Sequence, residues 1–444
     1  MFSVTSSRSL AVTALIYVPN SAVAERSGSC LGKVPTPKAL QKEWQMSPVT
    51  RAGWKIVAVV SVAALMLAGC SDSEGDTAGG DAPGRQTYKL AFVGPLTGPN
   101  ANLGINIRNG ATVAIEQANA AGGDVKFELA EFDTQGDPAQ ASTAKDRFIN
   151  DAAVRGVVGP TFSGETRAVL PSLQAAGLVM VSASATNAEL PTVEPNQTVF
   201  HRLVPDDNVQ GKGVTDYVTK KLTVTRAAYI HDNADYGKAL ADGTREQLEK
   251  AGVATVLNEA IDPKSQDFSA VVNSVRALSP PPDMIFYGGY YSEAGRLKKQ
   301  LTDGQVTVRF LSGDGTLDIG FVASAGAPAA EGTQVTCACK LATTDAPGKL
   351  GEFATAYQAR WNLAPATYST EGYDSANILI KGIREGKTTR QALLDYVENL
   401  GTYEGAGKPI EFEANGNIKA GDVFVYEFKG GKPTELGTTD SLLN

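Results

Sequence analysis

The sequence predicts an α/β protein built of two doubly wound, parallel-sheet domains. Short β-rich runs alternate with helical patterns from Lys89 onward, the series restarts after about residue 206, and the chain is long enough for two domains. Strands separated by helices imply parallel pairing, with both faces of each sheet covered. In the first series, KLAFVG (89–94) precedes a helical stretch through Ala121, and VKFELAEFD (125–133) precedes DPAQASTAKDRFIND. VRGVVGP (154–160) precedes SGETRAVLPSLQAAG, and LVMVSAS (178–184) follows. In the second series, AAYIHD (227–232), ATVLNEAID (254–262), DMIFYGG (283–289) and VRFLSGD (308–314) read as strands. Helical patterns near 235–251, 267–278 and 292–302 separate them.

Composition narrows the function. The chain has 444 residues, 42% hydrophobic and 20% charged, with a formal net charge of −8. That charge gives no reason to expect nucleic acid or an anionic membrane surface as partner. Two histidines, His201 and His231, argue against a His-rich metal site or a His-based triad. Four cysteines, Cys30, Cys70, Cys337 and Cys339, are too few for a disulfide scaffold. In sheets of this type ligands bind beyond the carboxyl ends of the strands. The segments found there are GPTFSGET, SASATNAEL, HDNADYG, GGYYSEAG and SGDGT. None is a phosphate loop or a G-x-S-x-G nucleophile elbow, so neither nucleotide binding nor hydrolysis has a motif, and no cofactor or metal is implied.

The N-terminal region has its own logic. Arg51 and Lys55 precede Ile56–Leu67, an apolar run of 12 residues, where a spanning helix needs about 20. A positive start, a short apolar stretch and small residues are the marks of an export signal. Leu67-Ala68-Gly69-Cys70 resembles the bacterial lipobox, in which the cysteine is lipidated and becomes the mature N-terminus. Residues 46–69 are therefore expected to be a lipoprotein signal peptide. Met46 reads as a complete signal start by itself, which makes residues 1–45, with Cys30, an expected mis-assigned extension. Residues 70–87 lack large apolar side chains at their start and read as a flexible tether.

The post-strand segments carry a resemblance. VGPLTGPNANLG (93–104), EFDTQGDPAQA (131–141), SASATNAEL (182–190), IHDNADYGKAL (230–240) and FYGGYYSEAG (286–295) follow one another in a characteristic order. In these segments the chain closely resembles the leucine/isoleucine/valine-binding proteins of bacterial ABC transporters, which are type I periplasmic binding proteins. The resemblance covers about residues 88–430. It implies two α/β lobes around a cleft, joined by three crossings near 203–207, 335–339 and 423–427. The first lobe would combine 88–204 with 340–424, and the second 205–336 with 427–444. It further implies a non-enzymatic, monomeric, lipid-anchored extracytoplasmic receptor. Such a receptor would capture a branched-chain amino acid and deliver it to an ABC permease by hinge closure.

A buried zwitterion needs hydrogen bonds for both charges. By resemblance, Ser163 and Thr186 grip the ligand carboxylate, each opening a helix whose N-terminus favours an anion. Asp314 and the carbonyl of Ser184, beside Ala185, receive the ammonium, and Tyr236 and Tyr290 close over the ligand from the second lobe. Leu103 and Phe162 line the side-chain pocket, and Thr161 is a further expected ligand-binding residue. On the residues alone, Thr186-x-x-Glu189 is equally a capping box, Ser163 an N-cap and Asp314 a turn residue. Tyr291 competes with Tyr290 for one role. The chain departs from the family pattern at Asp314, where glutamate is usual, and at Leu103, where an aromatic residue is usual. It departs again at Phe162, where some members carry a cysteine paired with the position of Gly136.

Cys337-x-Cys339 falls at the expected second crossing. An exported protein oxidises near thiols, and with no second Cys or His pair to complete a zinc site, a small disulfide is favoured, provided the strand bends locally. Two other readings stay open. One is a sensor of the same fold for short amides, urea or other small organic solutes; the other is a secreted enzyme.

Overall fold

The computed structural model describes residues 85–443 apart from 420. The expected extension, signal peptide, Cys70 and nearly all of the tether lie outside the described residues.

The first sheet is built from β1 (Gln86–Gly94), β2 (Val125–Asp133), β3 (Val154–Val158), β4 (Met180–Ser182) and β5 (Phe200–Arg202). Its order is β2-β1-β3-β4-β5, and every pairing is parallel. Helix α1 (Ala101–Ala120) links β1 to β2, α2 (Pro138–Ile149) links β2 to β3, and α3 (Ser163–Ala175) links β3 to β4. β1 begins at Gln86, inside the stretch expected as tether, because Gln86 already pairs with Val125. Leu90, Phe92, Val157, Val158 and Val181 are fully buried. They form the continuous apolar run of a sheet covered on both faces.

The chain then crosses to a second sheet. Helix α4 (Asp207–Asp216) is followed by β6 (Arg226–His231), α5 (Asp235–Lys250), β7 (Ala254–Ala260), α6 (Ser269–Ala277), β8 (Met284–Gly288) and α7 (Tyr291–Asp303). Then come β9 (Arg309–Ser312), α8 (Ile319–Ala325), α9 (Ala327–Ala330) and β10 (Gln334–Cys337). A second crossing leads to α10 (Lys349–Trp361), α11 (Ser369–Arg384) and α12 (Arg390–Glu398), with a small ladder of β11 (Tyr403–Glu404) and β12 (Pro409–Ile410). Helix α11 packs along α1 and against β3, which places this segment in the first lobe. The fit is close: a Cβ on Gly110 would stand 2.0 Å from the Ser369 carbonyl oxygen. The third crossing leads to β13 (Phe424–Lys429) and β14 (Lys432–Thr438).

The second sheet has the order β14-β13-β10-β9-β8-β6-β7. It is parallel except at one edge, where β10, β13 and β14 pair antiparallel. β13 already pairs Phe424 with Cys337. The last crossing therefore ends at the near edge of the expected range. Cys337 and Cys339 form a disulfide beside that pairing, with their Cα atoms 5.0 Å apart. This is within ordinary disulfide reach, because the chain turns off the strand after Cys337. Among the described residues no helix is long and apolar enough to cross a membrane.

Candidate ligand-binding site

The site forms where the carboxyl ends of the two sheets face each other. The loop after β1 leads into α1, whose first turn presents Leu103, fully buried. After β3 comes Thr161, whose carbonyl accepts the Ser184 hydroxyl at 2.6 Å. Phe162 takes the N-cap place of α3, and Ser163 is the first helical residue. The N-cap reading of Ser163 is thus corrected by one residue. The capping is done by Glu165, which accepts the Phe162 N–H at 2.8 Å and the Thr134 hydroxyl. Burial pushes the Glu165 carboxyl up to about 7. Ser163 Oγ accepts the Asn187 N–H at 3.2 Å, and its own hydroxyl proton is left for another partner. The first backbone N–H groups of α3 have no intrahelical acceptor.

Thr186 does not open a helix. Asn187 Oδ1 accepts the Glu189 N–H at 2.8 Å, an Asx turn that competes with helix formation. Only a single 3₁₀ turn, Leu190–Thr192, follows, and Glu189 pairs with Arg167 at 3.0 Å. The segment 184–187 is an irregular loop held from below. Arg202, fully buried, donates to the carbonyls of Ala185 at 3.1 Å and Asn187 at 2.8 Å, and to Asn417 Oδ1 at 2.9 Å.

From the second lobe, α5 delivers Tyr236, β8 delivers Tyr290 and β9 delivers Asp314. Leu103, Phe162, Ser163, Ser184, Tyr236, Tyr290, Asp314, Gly315 and Tyr368 together line one small cavity. Seven of the ten expected ligand-binding residues are in that wall. Thr161, Ala185 and Thr186 are buried directly behind it in the same loops. The register question resolves to Tyr290, whose ring lies 4.2 Å from Phe162 and 5.1 Å from Tyr236 between centroids. Tyr291 instead accepts the Asn102 N–H at 3.2 Å. At Gly136 φ is +76°, and a Cβ would come 2.9 Å from the Phe162 ring, so the aromatic residue takes up space that a bridge would need.

Asp314 is buried and heavily bonded. Its Oδ1 accepts the Tyr236 hydroxyl and the Gln210 amide, the latter at 3.2 Å, and its Oδ2 accepts the Tyr368 hydroxyl. Burial pushes its carboxyl upward against these bonds. Tyr368 escaped the sequence reading because it follows no strand; it stands at φ +68° as the N-cap of α11. Asp207 also escaped. It is the first residue of α4, 4% exposed, and desolvation together with the Asp314 charge pushes it up to about 8.

The lobes touch around this cavity. Asn102 donates to Asp318 at 2.7 Å and Asn187 to the Asp235 carbonyl at 2.7 Å. The Arg167 guanidinium pairs with Asp235 at 2.9 Å, and the Ser292 N–H reaches Asn100 at 3.2 Å.

Two α/β lobes, crossed three times by the chain and closed over a hydroxyl-rich, aromatic-walled cavity, define a type I periplasmic binding protein. A periplasmic binding protein family model matches residues 87–432, and the chain belongs to that family. A Leu/Ile/Val-binding protein of Rhizobium johnstonii is 31% identical over 354 residues, covering 77% of this chain and 92% of that one. A leucine-, isoleucine-, valine-, threonine- and alanine-binding protein of Pseudomonas aeruginosa is 28% identical over 344 residues, covering 77% and 90%. Among solved structures, the branched-chain amino acid transporter substrate-binding protein LivJ of Streptococcus pneumoniae, in complex with isoleucine, superposes with a TM-score of 0.71. It is 26% identical, covering 79% of this chain and 100% of that one. The family is a solute-binding class rather than a catalytic one.

Proposed function

We propose that this protein captures a free aliphatic amino acid between its lobes, outside the cytoplasm, and hands it to an ABC permease. The observation that carries the reading is the cavity wall itself. One side is the N-terminus of α3 with the Ser163 hydroxyl, suited to a carboxylate. The rest is Leu103, Phe162, Tyr236, Tyr290 and Tyr368, suited to an apolar side chain. Thr186 and the α3 N–H groups would hold the carboxylate, the Ser184 carbonyl and a buried acid the ammonium. The Tyr290 ring would give way from Phe162 to admit the side chain. Closure creates the surface that the permease reads, through the ligand's preference for the closed state. A lipid anchor at Cys70 would keep the receptor beside its permease, with the body acting as a monomer. The deciding experiment is titration calorimetry on protein unfolded and refolded to strip bound ligand. Leucine, isoleucine, valine, alanine, phenylalanine and glutamate are injected in turn. Binding of an aliphatic member, weakened by Ser163→Ala, supports the reading. Silence for all six, with heat from amides or urea, would move it to the other solute class.

A further inference from the structure

A second cavity lies at the hinge, apart from the interlobe site. All three crossings contribute to its wall, the first through Leu203, the second through Cys339 and the third through Phe424. The first lobe completes it with Glu371 from the first turn of α11 and with Lys408 and Ile410 at β12. The cavity measures about 60 Å³, room for about four waters or a molecule of about four heavy atoms. Exposed residues, Lys340 and Asp422 among them, also line it, so it opens to solvent.

The wall has two characters. Leu203, Ala338 and Ile410 are buried and apolar, and the Phe424 ring adds to them. Glu371 supplies the other. It is 7% exposed, and its Oε2 is buried with no hydrogen-bond partner. A carboxylate oxygen in that condition keeps its desolvation cost uncompensated. The neighbouring charges are committed elsewhere. Asp374 accepts the Ala406 N–H at 2.9 Å and the Gly407 N–H at 3.4 Å. Lys340 pairs with Glu435 at 3.6 Å and stands over the Phe424 ring. Lys408 acts on Glu371 as a cation yet leaves Oε2 unbonded, and it also answers Asp374 and Asp422. The wall is therefore short of positive charge. Burial accordingly pushes the Glu371 carboxyl up to about 7, with Asp374 acting in the same direction and Lys408 opposing.

An occupant of this cavity has to donate to Glu371, bring positive charge and lay an apolar body against Leu203, Ile410 and Phe424. An anion would meet the carboxylates as like charges. A metal ion would lack ligands, since the described residues contain no group of three metal-ligating side chains. We infer that the hinge cavity is a second binding site, which takes a short alkylammonium ion with its ammonium on Glu371 and its chain on the apolar wall. The inference goes beyond the capture reading above and does not depend on it. The site is also placed to act on capture. Tyr368, in the wall of the interlobe cavity, caps the helix turn that carries Glu371. Hinge motion shifts the crossings that line the cavity. An occupant fitted to it while the lobes touch favours the closed form, and the coupling is reciprocal.

The test is calorimetry with propylamine at pH 8, where Glu371 is ionised and the amine keeps its proton. Wild type and Glu371→Gln are each saturated with leucine beforehand, so that the interlobe cavity is filled. Wild type is expected to bind propylamine, and Glu371→Gln to bind it about tenfold more weakly or worse. Crystals of wild type soaked in propylamine need no variant to fold, and should show the ammonium against Glu371 Oε2. Equal affinity in the two proteins, or a hinge cavity that holds only water in those crystals, overturns the assignment. Saturating propylamine should also tighten leucine binding to wild type about fivefold, and an unchanged leucine affinity overturns the coupling. Wild type that binds no amino acid sinks the capture reading alone; the soaked crystals still decide the hinge site.

Discussion

Removing the Asn102 side chain should loosen ligand binding without touching the ligand. The amide stands in the first turn of α1 and donates across the seam to Asp318 at 2.7 Å. Asp318 is 4% exposed; burial pushes its carboxyl upward, while the bonds from Asn102 and the Gly320 N–H act to keep it ionised, so this bond is one of those that hold a buried carboxylate. Hydrogen bonds to charged groups contribute about 1.5–3 kcal/mol. Asn102 is only half-buried, which places this one at the lower end, about 1.5 kcal/mol. In the open form both groups are solvated, so the loss falls on the closed form alone. Since ligand affinity scales with the population of the competent state, and about 1.4 kcal/mol is tenfold, Asn102→Ala should raise the Kd for leucine about tenfold. Asn102→Asp sets a second carboxylate against Asp318 and should raise it further. Calorimetry gives the affinities, and small-angle scattering with saturating leucine gives the closed fraction. A Kd within twofold of wild type for both variants would refute the claim that this seam contact stabilises closure.

Three other perturbations have defined outcomes. Glu165 has its folded pKa raised from 4.5 to about 7. Its contribution is fully present below pH about 4.5 and is lost as pH rises toward and through about 7, a swing of about 3 kcal/mol. Glu165→Gln should abolish that part of the stability-pH curve, as read from urea unfolding at pH 5 and pH 8, because Thr134 and the Phe162 N–H can still bond the amide. Opening the Cys337–Cys339 bond with Ser at both positions closes a very short loop no longer. The chain-entropy cost is about 1.5 kcal/mol, and scanning calorimetry should show a fall in Tm of only a few degrees. Gly110→Ala must push α1 off the Ser369 carbonyl, and urea unfolding should show a loss of about 1–3 kcal/mol.

The strands and most helices were legible because their signals are local. VKFELAEFD is β2 from end to end, and Asp137 caps α2 by accepting the Ala139 N–H at 2.7 Å, with Pro138 behind it. The segments that follow strands could likewise be marked out, and the family resemblance then singled out Phe162, Ser163, Ser184, Tyr236, Tyr290 and Asp314 within them. Two kinds of information were harder to read, one a competition between local signals and one not local at all. Thr186-x-x-Glu189 satisfies the helix-start pattern, but Asn187 between them bonds the same backbone and Pro191 and Pro195 follow, so no α-helix forms there. Tyr368 and Asp207 reach the site through packing. Tyr368 is carried in by a helix from the far end of the first lobe, and Asp207 follows a strand of three residues, too short to leave a periodic trace. The hydrogen bonds that occupy Asp314 come from three separate stretches of chain, around residues 210, 236 and 368. No single window of sequence contains them.

The chemistry of the seam also bears on the life of the protein between captures. Asn100, Asn102, Arg167 and Asn187 meet Asp235, Ser292 and Asp318, and all of these side chains are polar. When the lobes part, these groups exchange one another for water, and the rims bare no broad greasy face of the kind that drives proteins to stick. Crowded copies can then stand open and idle beside one another without clumping, ready for the next molecule of cargo.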